Sequence, residues 1–210
     1  MKMLKIPMMR SFCIVLIFLF PASFAHAQAD TGYFIKVHFL YGSKPLKKYK
    51  NTEAKYFGGI HGGHVSIEVD STDYGFVPEG KFHIFNHRRS CHSAFITRPT
   101  HNHDPYTDKD KVTTFIIPVT AEQHYELLLL VSDYCSKVPY DYAFFGMRCA
   151  AASQDVLGKI GVVKPRGRLS GIYSTFYPKK LRRRMFRLAK EKHYKVISRE
   201  GRTTRRWESD

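Results

Sequence analysis

The sequence predicts an α+β fold, an antiparallel sheet with helices packed on one side, and three observations lead there. The first is the strict alternation of His64 to Asp70 (HVSIEVD), with Val65, Ile67 and Val69 on one face and His64, Ser66 and Glu68 on the other. The second is a set of further β-rich runs broken by turn residues. The third is order: strand signals fill the first half, and helix signals such as the capping box Thr120-Ala121-Glu122-Gln123 follow them.

Taken in order, Tyr33 to Tyr41 (YFIKVHFLY) is rich in β-branched and aromatic residues and reads as a strand, followed by a Lys-rich loop. After the alternating strand, Ser71-Thr72-Asp73 makes a turn and Tyr74 to Val77 returns. Pro78-Glu79-Gly80 turns again into Phe82 to Phe85, the third strand of an antiparallel meander. Residues 88 to 110 are polar and His-, Asn- and Asp-rich, which predicts a long loop. Val112 to Val119 is an apolar, central strand, and Thr120 caps a helix running to about Lys137. A second helix spans Met147 to Lys159 and stops at Gly161. Pro178 to Lys192 forms a basic helix and Tyr194 to Ser198 a last strand. No repeats or long linkers interrupt the chain, and its length fits one domain.

Residues 1 to 27 have the three parts of a signal peptide: a basic start (Lys2, Lys5, Arg10), the apolar run Phe12 to Phe20, and Ala25-His26-Ala27 ahead of cleavage at Gln28. The run is too short for ~30 Å of hydrocarbon and Pro21 ends it. The expectation is therefore an exported protein, periplasmic or secreted, whose single domain is residues 28–210. Cleavage takes 34 basic residues to 31 against 18 acidic ones, so the net charge goes from +16 to +13. Such a charge favours an anionic cell-envelope component (peptidoglycan, lipid or lipoprotein), with peripheral membrane contact. Export, and the lack of a recognisable nucleic-acid module, argue against nucleic acid.

Cys13 leaves with the signal, so Cys91, Cys135 and Cys149 remain. Cys149 follows Gly146 at the start of a strongly helical stretch, where unpaired amides and the positive end of the dipole stabilise a thiolate and can hold an oxyanion. His64 begins the amphipathic strand on the face away from the core, where it can serve as base to a Cys nucleophile. A small buried apolar cysteine and a surface histidine at a strand end are the plain alternatives.

The strand GHVSIEVD (Gly63–Asp70), followed much later by RCAAASQDVL (Arg148–Leu157) on a helix, resembles the circularly permuted papain-like fold. Its relatives include lecithin:retinol acyltransferase-type enzymes and permuted NlpC-type amidases, in which the His strand precedes the Cys helix. The resemblance covers residues 60 to 160. It implies acyl transfer through a thioester, with Cys149 as nucleophile, His64 as general base and then acid, and no cofactor. One departure stands out: acyltransferase members carry Asn-Cys-Glu-His-Phe, where this chain has Arg148-Cys149-Ala150-Ala151-Ala152. The orienting third residue is His83, with Glu79 (placed opposite His64 by a tight turn at Ser71-Thr72) and Asp73 as alternatives. Tyr140, Tyr142, Phe144 and Phe145 are expected to pack beneath the helix rather than line a cleft. If Cys149 is the free thiol, Cys91 and Cys135 are available for a disulfide closing a loop of about 44 residues, worth roughly 4 kcal/mol.

Two other readings stand beside this one. A non-catalytic exported domain would dock on envelope polymer through its basic C-terminal segment, Lys179 to Arg184 and Arg202 to Arg206. A zinc-dependent cell-wall amidase would use His61-Gly-Gly-His64 with Asp70; the His101-Asn102-His103-Asp104 loop is a further metal-binding candidate.

Overall fold

The computed structural model describes residues 32–54, 62–87, 91–100 and 106–210; the expected signal segment and His61, His101 and His103 lie outside them. In chain order the elements are β1 (Tyr33–Tyr41), β2 (Ser43–Pro45), β3 (Gly63–Val69), β4 (Thr72–Pro78), β5 (His83–Phe85), β6 (Ser93–Pro99), β7 (Val112–Val119), α1 (Ala121–Ser136), β8 (Ala143–Phe145), α2 (Cys149–Lys159), α3 (Arg168–Ser174), α4 (Pro178–Lys192), β9 (Lys195–Arg199) and β10 (Arg205–Trp207). An antiparallel six-stranded sheet runs β6-β4-β3-β1-β7-β9, and two small pairs, β2–β10 and β5–β8, flank it. The fold is therefore α+β.

Side-chain alternation sorts the sheet into two faces. Ile35, Val37 and Phe39 of β1, Val65, Ile67 and Val69 of β3, and Phe115 and Ile117 of β7 are buried in one core with the helices. α1 contributes Leu127, Val131 and Tyr134, a stripe at helical spacing. Its first turn is fixed by the expected capping box: the Gln123 amide donates to Thr120 Oγ1 at 3.1 Å and the Thr120 amide to Gln123 Oε1 at 3.0 Å. α4 presents Leu181, Met185 and Ala189 to the same core.

Three expectations change. The 88–110 segment is not all loop, because β6 lies within it and pairs along β4 from Thr72↔Pro99 to Pro78↔Ser93. Phe82 to Phe85 therefore has no place beside β4; β5 pairs instead in parallel with β8. The turn between β3 and β4 sits one residue earlier than expected, at Asp70 (φ 47) and Ser71 (φ 60). Two successive positive φ values make the tight turn that matches strand twist. Val69 then pairs with Thr72 and Ser66 with Gly75, and the same register carried on puts Val77, not Glu79, opposite His64.

The basic C-terminal segment is also partly internal. Arg182 is 0% exposed, its guanidinium 3.6 Å from the centre of the Tyr41 ring and paired with Glu208 (3.1 Å) and Asp210 (2.6 Å). Arg205 is buried between Glu53 (3.0 Å) and Ser43 (2.9 Å). Neither side chain is on offer to an envelope polymer; both hold the tail against β1 and β2. Arg182→Gln strands a buried carboxylate and should cost about 3–5 kcal/mol in urea unfolding. The neighbouring exposed Arg183→Gln should stay within about 0.5 kcal/mol. Equal losses in the two variants would refute the internal role.

Candidate active site around Cys149

α2 opens on Cys149, with Arg148 as an extended N-cap whose side chain makes no capping bond. Ala150, Ala151 and Ala152 are all buried in the core with Val65. Their small side chains let the first turn of the helix close on β3. As a result the Val65 and Ala150 amides and the Tyr142 hydroxyl lie close enough to the Cys149 sulfur to favour its ionised form. The residue is 4% exposed. Burial pushes the thiol pKa up, and the three donors and the Arg148 charge only partly offset it. The helix start is where the sequence places it, but the resting sulfur is a neutral thiol rather than the expected thiolate.

Tyr142 has a second neighbour in the same place. Its oxygen also lies by the Cys149 amide, the group expected to form part of an oxyanion hole. One hydroxyl thus spans the amide and the sulfur of the same residue. Burial drives the Tyr142 pKa well above its ordinary value, so it remains a donor.

His64 meets this site from the other side of β3. Gly75 leaves room for its ring: a Cβ there would lie 2.8 Å from His64 Nε2. Gly75 pairs with Ser66, so the imidazole rests on the Ser66 face, while the sulfur reaches the adjacent Val65 amide. Nucleophile and base candidates thus converge on neighbouring residues of one strand, and no hydrogen bond between them is found among the described residues. Burial, reinforced by the Arg98 charge, brings the His64 pKa down to about 4, so the imidazole is neutral.

The candidates for third residue separate. His83 does not join His64; its Nδ1 bonds Asp141 Oδ2 at 2.5 Å. Glu79 is exposed in its turn. Asp73 is fully buried on the imidazole face, accepts from Arg98 Nη2 at 2.9 Å, and shares the Arg98 charge with His64. That face carries a polar row which single-residue reasoning missed. His38 lies between Thr114 Oγ1 (2.9 Å) and Glu68 Oε2 (3.0 Å), and Ser66 Oγ is 3.2 Å from the Tyr106 hydroxyl. The alternation of β3 was its only signal.

Asp141 anchors the approach to the nucleophile. Its buried carboxylate takes the His83 ring and the amides of His87 and His92, both at 2.9 Å, which keeps its pKa low. Tyr140 and Tyr142 pack inside as expected, whereas Phe144 and Phe145 do not. Phe145, 53% exposed, stacks on Phe85, 69% exposed, and Phe144 leans on Phe176. The Arg148 guanidinium lies 4.4 Å from the centre of the Phe176 ring. An aromatic surface therefore adjoins the start of α2.

Among the described residues no three His, Cys, Asp or Glu side chains share a position for a metal ion, and no helix is long and apolar enough to cross a membrane. Cys91 and Cys135 are both exposed. The chain matches no family model, no curated protein and no solved structure.

Two predictions follow from this geometry. The Tyr142 hydroxyl favours the ionised sulfur, so Tyr142→Phe should raise the Cys149 pKa further and slow iodoacetamide alkylation of the folded protein at pH 8; faster alkylation would refute that influence. The unfolded chain protonates His64 near its usual 6.5, the folded chain only near 4. Between these values only the unfolded state holds the proton, so stability falls on acidification through that window. His64→Gln should flatten the slope of unfolding free energy there, and an unchanged slope would exclude His64 as its source.

Proposed function

We propose that the chain is an exported cysteine-dependent acyl-transfer enzyme of the permuted papain-like type, an amidase, peptidase or acyltransferase acting on a cell-envelope component. One observation carries the reading: α2, which opens on Cys149, packs against β3, which carries His64, with the His strand preceding the Cys helix. The signal-like residues 1 to 27 support export, and the exposed Phe85 and Phe145 beside α2 suit an apolar portion of substrate.

The chemistry runs from a neutral pair. As the sulfur attacks the substrate carbonyl, the carbonyl π pair moves onto oxygen and the thiol proton passes to His64 Nε2, a transfer that requires the imidazole to leave the Ser66 face for the side of β3 that carries the sulfur. Collapse re-forms the carbonyl, expels the amine or alcohol with the proton from His64, and leaves a thioester on Cys149. Water or another acceptor then attacks the thioester and restores the thiol. In this scheme Asp73 and Arg98 position the imidazole face, and the Cys149 amide becomes free for the oxyanion once Tyr142 shifts. Neutral reactants need His64 as base at the moment of attack, since burial holds the thiol protonated beforehand.

The test uses a Cys91→Ser/Cys135→Ser background and p-nitrophenyl acetate. Peptide mapping should find an acetyl group on Cys149. Cys149→Ser should abolish the adduct, and His64→Gln should slow it by about a hundredfold or more. An adduct that forms at the same rate in His64→Gln, or nitrophenol release indifferent to Cys149→Ser, would overturn the reading.

A further inference from the structure

Beyond α2 the chain turns at Gly161 and crosses to α4, leaving an open cleft of about 320 Å3 between the two. That is at the small end of ligand sites, which span ~300–1,000 Å3. Lys164, Arg166, Arg184 and Arg187 converge on it with Gln154, and Glu191 is the one acid among the lining residues. Met185 and Leu188 give it an apolar floor. Arg184 is half-buried; its Nη2 donates to the Ser174 carbonyl at 3.2 Å, and its Nη1 is buried without a partner among the described residues. Burial, with the charges of Arg166 and Arg187 close by, lowers the Arg184 pKa, so the three guanidinium groups repel one another across the cleft. Two enclosed arginines elsewhere are ion-paired: Arg182 with Glu208 and Asp210, and Arg205 with Glu53.

We propose that the cleft between α2 and α4 is a binding site for a phosphate-bearing ligand. A carboxylate presents two oxygens and engages one guanidinium well. A phosphate presents more acceptor oxygens and up to about two negative charges, enough to bridge several arginines at once. Gln154 and Arg166 also line an adjoining cleft of about 210 Å3 bounded by Met147 and Ala151, which flank Cys149 in the chain. The binding claim does not rest on the reaction assigned to Cys149, and Cys149→Ser should bind as the wild type does.

The experiment is calorimetric titration with glycerol phosphate, with sedimentation on phosphatidylglycerol and phosphatidylcholine vesicles as a second arm. Lys164, Arg166 and Arg187 are exposed, so the triple variant K164Q/R166Q/R187Q should fold. It should bind at least about tenfold more weakly than the wild type. The charge-matched K180Q/R183Q/K190Q, altered at exposed residues of the same helix outside the cleft, should stay within about twofold. Saturable binding of glycerol phosphate identifies a soluble phosphate compound as sufficient. Cleft-dependent binding of phosphatidylglycerol vesicles alone identifies a lipid headgroup, and either result supports the site. Equal loss in both triple variants, loss in neither, or no binding of any probe by the wild type would overturn it.

Discussion

The seat of α2 on β3 is the contact on which the candidate site depends. A helix carrying Leu or Phe in its first turn would stand too far from the strand for its leading side chain to touch the backbone. Here the three consecutive alanines after Cys149 leave so little bulk that the sulfur comes close enough to the Val65 amide to feel it. The β3–β4 ladder ends at Ser66↔Gly75, one residue short of Val65. The same ending gives the His64 ring its place over Gly75. A single register, set by the turn at Asp70 and Ser71, thus decides where both chemical groups lie.

Seating has an electrostatic consequence. Close packing removes the sulfur and the imidazole from water together, and desolvation disfavours the charged form of each: the thiol moves up and the imidazole down. A thiolate–imidazolium pair would need each charge to stabilise the other, yet strand β3 lies between them in the resting structure. Two neutral groups are the cheaper arrangement. Asp141 complements this by holding β5 and the amides of His87 and His92 against the segment that leads to Cys149, which fixes the approach without adding charge next to the sulfur.

Much of this was legible in the sequence where one physical signal acted alone. β1, β7 and α4 follow from composition and capping, and their observed bounds match the expected ones. β6 escaped because Phe95 is its only large side chain in the core; Ser93 pairs with the Tyr140 carbonyl and Ile96 is exposed, so no apolar alternation marks it. The turn register was missed because both Asp70 and Ser71 adopt left-handed backbone without a glycine. Cys149 and His64 could be nominated from local pattern, but where Glu79 and Asp73 fall relative to His64 depended on a register that the turn sets. Tyr142 gave its aromatic character away, but not a hydroxyl aimed back at the sulfur.

The basic run of α4 shows why composition alone misleads about partners. Arg182, Arg183 and Arg184 are consecutive, and helical geometry turns each about 100° from the last. Arg182 faces β1 and is neutralised by the tail's own carboxylates, Arg183 faces solvent, and Arg184 faces the cleft toward α2. Of these, Arg182 adds nothing to attraction at a distance because Glu208 and Asp210 cancel it locally. Arg183 adds to a diffuse field that salt screens within about a Debye length, ~8 Å at physiological ionic strength. Arg184 alone combines partial burial with like-charged neighbours, the condition in which an anion gains most by arriving. The count of 34 basic residues therefore overstates the cations open to an anionic partner, because some are already paired inside the fold.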